Sequence, residues 1–161
     1  MLTLDGIRKF HTWTHASLSL LFDHLSTLPL EQYTLEIPNF GSNTIQKQVA
    51  HILNCEGLWI SSLQQLDYVD RSPVEFPTIA DALLFRQEIC RRTEAYLSTL
   101  TDAQLNTDTE LRFPDGDREV RTPALVLHHV LTHAFHHKGQ MVAMCRALGH
   151  PAPDTDLNHF R

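Results

Sequence analysis

Four stretches of the chain place apolar residues three or four positions apart, which is the period of an α-helix. The first stretch ends before Pro29, the second opens near "SNTIQ", the third follows Thr78, and the fourth runs from Thr122 to Gly149. Alternation of the kind expected for strands is sparse. The pattern therefore predicts an all-α protein built as a four-helix bundle.

Polar residues mark where three of these helices begin. Asn43 and Gln46 have the spacing of a capping box, which predicts Asn43 as the N-cap of the second helix. Thr78 is the predicted N-cap of the third helix. The fourth helix has the clearest start, since Thr122 precedes Pro123 and proline is favoured at the first helical position.

Two connections carry their own signals. The segment "TELRFPDGDREVRTP", residues 109–123, contains a Pro-Asp-Gly-Asp turn with short flanks, which predicts a small hairpin or an ordered loop before the last helix. Residues 29–41 form a long link for adjacent antiparallel helices, so we expect a crossover there. The length suits one domain over residues 1–161.

Composition narrows the class of protein. The chain is 42% hydrophobic and 20% charged, as is typical of a soluble globular protein. A net charge of −6 without a stripe of Lys and Arg argues against a nucleic-acid partner. The N-terminus lacks the apolar core of a signal peptide, and no apolar run is long enough to cross a membrane. Three widely spaced cysteines are typical of a reducing compartment, so we expect a cytoplasmic protein.

Histidine is concentrated near the C-terminus, where "LTHAFHHKGQMVAMCRALGHP", residues 131–151, holds four of the eleven histidines. His133 and His137 are four residues apart on the edge of an apolar stripe, so their rings project toward the same point. Two such imidazoles can chelate a divalent ion, and His51 on the second helix is the candidate for a third ligand. Three histidines with an open fourth position are typical of catalytic zinc sites.

Spacing alone leaves alternatives open. His129 and His133 are also four residues apart, as are His11 and His15, so a solvated or hydrogen-bonded face is a second interpretation of the same pattern. No glutamate follows His133, which excludes the HExxH arrangement of metalloproteases and its helix-borne general base.

Two residues of the second helix have two interpretations each. Cys55, four residues after His51, is either a small packed residue or a fourth ligand and reactive thiol. Glu56 falls within an apolar stripe, where an unpaired carboxylate is unfavourable, so it needs an Arg or His partner or a place beside the metal. Trp13 and Trp59 are predicted to be core aromatics.

Three segments resemble the DinB/YfiT family of metalloproteins: "FHTWTH", "VAHILNCEGLWI" and "LHHVLTHAFHHKGQMVAMCRALGHPAPDTDL". The resemblance covers essentially the whole chain and is most specific in HxxxH followed by Lys-Gly-Gln. It implies an up-down-down-up four-helix bundle, a homodimer, and a divalent metal held by His51, His133 and His137. His136 matches a motif position that is not a ligand.

The resemblance also implies a function. Relatives include thiol-dependent transferases that use bacillithiol or mycothiol and a mycothiol-dependent maleylpyruvate isomerase. The expected protein is a metal-dependent enzyme that activates a water or a low-molecular-weight thiol for reaction with a small-molecule substrate. Zinc or nickel is the expected metal and iron an alternative, because imidazole ligands suit all three. A non-catalytic metal-binding or scaffolding module is the alternative function.

Two residues are predicted to carry protons for this chemistry, His15 and Glu56. The family pattern around His15 tends toward asparagines beside a tryptophan, so "HTWTH" departs from it. For His15 itself, lining the metal cavity and lying on the surface are both open interpretations.

Overall fold

The computed structural model describes residues 2–160, which contain six α-helices and one two-stranded sheet. The helices are α1 (Leu4–Leu25), α2 (Leu30–Tyr33), α3 (Ile45–Gln64), α4 (Ile79–Ser98), α5 (Asp102–Leu105) and α6 (Pro123–Ala147). The strands are β1 (Thr109–Arg112) and β2 (Arg118–Arg121), and single 3₁₀ turns span Pro73–Glu75 and Leu157–His159. The four long helices α1, α3, α4 and α6 confirm the predicted all-α bundle.

Contacts between helix ends give the directions of three long helices. Arg8, near the start of α1, donates to the carbonyl oxygen of Leu97, near the end of α4, at 2.9 Å, so α1 and α4 run antiparallel. His24, near the end of α1, lies 3.0 Å from the carbonyl oxygen of His150, just beyond α6, so α1 and α6 run parallel.

The segment between α3 and α4 returns along α3 and makes these two helices parallel. Asn54 in the middle of α3 donates to the carbonyl oxygen of Arg71, and Gln46 near its start donates to that of Phe76. The resulting order is up-down-down-up, as predicted. Both α3 and α1 pack against α4 and α6, so α1 and α3 lie diagonally across the bundle and residues 26–44 make the expected crossover.

The N-cap of α3 is Thr44, so the prediction of Asn43 is one residue early. The Thr44 hydroxyl accepts from the backbone N–H of Lys47 at 3.0 Å, whereas the Asn43 amide oxygen accepts from the Lys47 ammonium at 2.7 Å. Asn and Thr both cap helices well, so two adjacent candidates could not be separated by type. Thr78 and Thr122 cap α4 and α6 as predicted.

The predicted hairpin is present and covers the C-terminal half of α3. Strands β1 and β2 pair antiparallel with Thr109 opposite Arg121, and the turn between them places Gly116 at φ +91°. Leu111 is fully buried. The ring of Phe113 meets Trp59 edge-on, with 5.3 Å between the ring centroids.

Two apolar clusters make up the core, one at each end of the bundle. Phe22, Leu53 and Met141 belong to the first, and Leu63 and Leu127 to the second. Between the clusters α1, α3 and α4 contribute a layer of buried polar side chains, which includes His11, Thr14, His15, Glu56 and Thr93. This layer is unusual for a bundle core, because a buried polar group must find a hydrogen-bond partner.

The two tryptophans differ in their exposure to solvent. Trp59 is partly buried against the second cluster, as expected. Trp13 is 36% exposed, so the prediction that it is a core residue is wrong: the opposite side of α1 carries the buried residues. Within residues 2–160, no helix combines the length and apolar character needed to cross a membrane.

Candidate metal centre

Three histidine rings from α3 and α6 converge at one point. Nε2 of His133 lies 3.2 Å from Nε2 of His51 and 3.2 Å from Nε2 of His137. The three ligand nitrogens all lie within 4.8 Å of one another, close enough to share one ion. The structure thus brings together the three residues predicted as a ligand set.

The helices place these rings by simple geometry. His133 and His137 are one turn apart on α6, and antiparallel packing of α3 sets His51 opposite them. His51 is exposed, while His133 and His137 are half-buried. The cluster therefore lies at the solvent edge of the α3–α6 interface, where an ion and a small molecule have access.

Two glutamines hold His137 in one orientation. Its Nδ1 lies 2.6 Å from Oε1 of Gln48 and 3.1 Å from Oε1 of Gln140. Amide oxygens only accept hydrogen bonds, so Nδ1 carries the proton and Nε2 of the neutral ring keeps a lone pair facing the other two histidines. Gln48 is fully buried and is itself fixed by donating at 2.8 Å to Gln140 and to the carbonyl oxygen of Ser42.

The electrostatics of the cluster favour neutral imidazoles. Burial and the neighbouring histidines lower the pKa of His133 and of His137 from 6.5 to about 4. Both rings are therefore uncharged at neutral pH, which is the form that binds metals. Three convergent nitrogen donors, two of them on rings held neutral, fit a divalent ion such as zinc.

One cleft opens directly beside the cluster. His51 lies on the wall of a cleft of about 400 Å³, which Lys47, Asn54 and Arg71 also line. A separate apolar cleft of about 260 Å³ is lined by His129 and Trp59 and by none of the three clustered histidines. The His129 ring lies 5.5 Å from that of His133, beside the cluster rather than within it.

The alternative ligands lie outside the cluster. Among residues 2–160, the group of convergent donors contains His51, His133 and His137 but not Cys55. Burial and the nearby Glu56 raise the pKa of the Cys55 thiol to about 12, so the thiol is protonated. His136, the motif position expected not to ligate, instead bonds to the Gln140 amide at 2.9 Å.

The two predicted proton carriers are neighbours of each other. Nε2 of His15 lies 3.1 Å from Oε2 of Glu56, and His11 lies 3.0 Å from the other carboxylate oxygen. This confirms the expected histidine partner for Glu56. The surface interpretation of His15 is wrong, since His15 is buried inside the bundle. In the described chain no hydrogen bond joins this pair to the His51 cluster, and their catalytic role stays a prediction.

Sequence reasoning missed the two glutamines. Gln140 stands in the "HHKGQ" segment three residues after His137, and Gln48 stands three residues before His51. Both spacings put the amide on the same helix face as a histidine. A polar residue within the apolar stripe of α3 was the available signal for Gln48.

Comparison with known proteins agrees with this architecture. The family model described as the DinB family matches residues 1–161. Protein DinB of Bacillus subtilis (strain 168) is 24% identical over 169 aligned residues, which cover 94% of this chain and 90% of the relative. The crystal structure of a DinB-like protein from Bacillus cereus ATCC 10987 superposes with a TM-score of 0.64 at 21% identity and covers 94% of this chain and 97% of that one. The chain belongs to the DinB family.

Proposed function

We propose that this protein is a metal-dependent enzyme whose divalent ion is held by His51, His133 and His137. One observation carries the proposal: three Nε2 atoms converge beside a cleft of about 400 Å³, and the described chain adds no fourth protein donor to the group. Catalytic metal sites keep a position open in this way, whereas structural sites are closed by four protein ligands.

The chain's own residues prepare the site. Gln48 and Gln140 fix the ring of His137 so that its lone pair faces the ion, and such partners of metal ligands contribute to affinity. A bound ion of this kind would lower the pKa of a water or thiol at its open position. Deprotonation then needs no glutamate next to His133, which agrees with the absence of the HExxH pattern.

The cleft beside His51 sets the class of substrate. Lys47, Arg71 and Asp70 line it together with Asn43 and Asn54, so it offers charges of both signs and amide groups to a small polar molecule. We propose a low-molecular-weight thiol in this cleft and a reaction of the thiol S-transferase or isomerase type. Zinc or nickel is the proposed metal, with iron as the alternative. His15 and Glu56 stay the predicted proton carriers.

Cobalt-substituted protein tests the proposal. Addition of cysteine or glutathione is expected to produce a new thiolate-to-metal charge-transfer band in the difference spectrum. The thiol-dependent band should vanish in His133→Ala and persist in Cys55→Ala. If cobalt binds to the three histidines but no thiol changes the spectrum, the enzyme proposal fails and a non-catalytic metal-binding module replaces it.

We further propose that the protein is a cytoplasmic homodimer. Trp13 and Leu20 lie seven residues apart on α1, hence on one face, and both are exposed apolar side chains that a second copy could cover. Cys55, Cys90 and Cys145 are free thiols, as expected in a reducing compartment. Light scattering should give the dimer mass; a monomer at high micromolar concentration would contradict the dimer alone.

A further inference from the structure

A buried carboxylate organises the polar layer between the two apolar clusters. Glu56 is only 4% exposed and accepts a hydrogen bond from the Thr93 hydroxyl at 2.6 Å. Nε2 of His11 lies 3.0 Å from one carboxylate oxygen, and Nε2 of His15 lies 3.1 Å from the other. Burial by itself would raise the pKa of Glu56, but His15 and His11 outweigh burial and hold it well below its usual range. The carboxylate is therefore ionised.

The ionised carboxylate selects the tautomer of both rings. A carboxylate only accepts, so Nε2 of His11 and of His15 carries a hydrogen, and Nδ1 is the nitrogen through which either ring would coordinate an ion. Nδ1 of His15 lies 3.1 Å from the sulfur of Cys90, which comes from α4. Histidines that ligate metals commonly donate their other N–H to a carboxylate in this way.

The donor atoms are close enough to share an ion. His11 and His15 are one turn apart on α1, with 4.3 Å between the ring centroids. One ligand atom from each of His11, His15 and Cys90 lies within 4.8 Å of the others. We propose that these three residues form a second, internal metal site, distinct from the His51 cluster, with Glu56 holding both imidazoles in place.

The chemistry of the donors indicates which ions fit. Two imidazoles and a thiolate favour zinc and similar transition metals over magnesium or calcium, which prefer oxygen ligands. Cys90 coordinates as the thiolate, and its proton passes to solvent. The site therefore differs from the His51 cluster in one measurable respect, a sulfur ligand supplied by the protein.

Arg86 of α4 also contacts His15. Its Nε donates to Nδ1 of His15 at 3.3 Å, and its terminal nitrogen donates to the backbone oxygen of the same residue. Coordination through Nδ1 requires the first of these bonds to break while the second can persist. Ion binding by Nδ1 of His15 therefore requires the Arg86 side chain to move away from this nitrogen.

A surface pocket of about 200 Å³ reaches one member of the group, His11, and is also lined by Arg8, Thr12, Glu94 and Leu97. Metal sites need an entry path, and this pocket, with the Glu94 carboxylate in its wall, brings a cation as far as His11.

The test uses the full chain loaded with cobalt in the absence of any added thiol. The His51 cluster has only nitrogen donors, so a thiolate-to-cobalt band without added thiol requires a cysteine ligand from the protein. We expect this band in the wild type and in His133→Ala, and its loss in Cys90→Ser. The matched variants Cys55→Ser and Cys145→Ser should retain it. Elemental analysis should give about two ions per chain for wild type and about one for His133→Ala or Cys90→Ser.

A measurement on zinc-loaded His133→Ala covers the case in which Cys90→Ser does not fold. X-ray absorption should detect one sulfur at ~2.3 Å from zinc together with nitrogen neighbours. A nitrogen- and oxygen-only shell, no bound zinc, or a cobalt band that disappears in Cys55→Ser overturns the internal site. In each of these cases the polar layer is a hydrogen-bonded core and nothing more. The first two outcomes leave the His51 cluster untouched, since the thiol-dependent band tests it separately. Loss of the cobalt band in Cys55→Ser would instead place a cysteine ligand beside His51 and would also contradict the open position of that cluster.

Discussion

Nδ1 of His137 lies 2.6 Å from the amide oxygen of Gln48, a residue of α3 with no exposed surface. This bond ties a half-buried histidine at the rim of the bundle to the rigid interior of a neighbouring helix. It fixes the tautomer of His137 and, with it, the direction of the lone pair that would face a metal.

Replacing Gln48 by leucine removes this acceptor and keeps the side-chain volume. We expect the affinity of the His51 cluster for zinc to fall by about 10–100-fold, because Nδ1 of His137 keeps only the longer bond to Gln140, whose amide loses its own hydrogen bond from Gln48. Competition with a chromophoric chelator measures the change. Gln87→Leu on the exposed face of α4 is the control and should bind as the wild type does. Equal affinities for Gln48→Leu and wild type would contradict the role of Gln48.

The metal-free protein should lose stability as the pH falls from about 6.5 to 4. Burial and the neighbouring imidazoles lower the pKa of His133 and His137 to about 4, so between these pH values the unfolded chain binds more protons than the folded one. Urea denaturation at pH 7 and at pH 5, with a chelator present, measures the loss.

In the double variant His133→Asn with His137→Asn, the free energy of unfolding should depend less steeply on pH over the same range, since asparagine does not titrate. His128→Asn, at an exposed histidine of α6 that contributes to neither pKa shift, is the control and should keep the wild-type slope. An identical slope in the double variant would mean that other groups carry the acid sensitivity.

Glu56→Gln should destabilise the protein by about 3 kcal/mol, because it removes the buried charge that His11 and His15 hold in place. The folded-state pKa of Glu56 is depressed, so its contribution is present above pH 4.5 and is lost as the pH falls through the folded value. The difference between wild type and variant should therefore shrink in acid. Glu94→Gln on the exposed side of α4 should change stability by no more than about 0.5 kcal/mol.

Alanine substitutions at two helical glycines form a matched pair of variants that tests the packing around Tyr68. A Cβ on Gly57 would overlap the ring of Tyr68, which is buried and donates to Asn54 at 3.0 Å. Gly57→Ala should therefore lower the free energy of unfolding by about 1–3 kcal/mol. A Cβ on Gly139 in α6 meets no atom within 4 Å, so Gly139→Ala should stabilise by about 0.5–1 kcal/mol. Thermal denaturation that shifts both variants in the same direction would contradict the packing around Tyr68.

Local signals predicted most of the bundle. The Thr122-Pro123 start of α6 and the turn at Gly116 follow from the backbone preferences of those residues, which tertiary packing here does not override. His133 and His137 share a helix face whatever surrounds them, so this half of the candidate site could be read from spacing.

Features that depend on how helices pack against one another were not predictable in the same way. Whether His11 and His15 face solvent or Glu56 depends on the rotation of α1 relative to α3, and periodicity does not specify that rotation when a helix face mixes histidine with apolar residues. The exposure of Trp13 and the contact of Gln48 with His137 have the same origin, because each is set by the partner helix.

The most direct test of the metal centre is anomalous diffraction at the zinc absorption edge, recorded from crystals of the zinc-loaded protein. The convergence of the three Nε2 atoms predicts a peak about 2.0–2.1 Å from His51, His133 and His137 alike. Zinc-loaded crystals with no peak between these rings, or with the peak on His129 or His136 instead, would contradict the proposal that His51, His133 and His137 hold the metal.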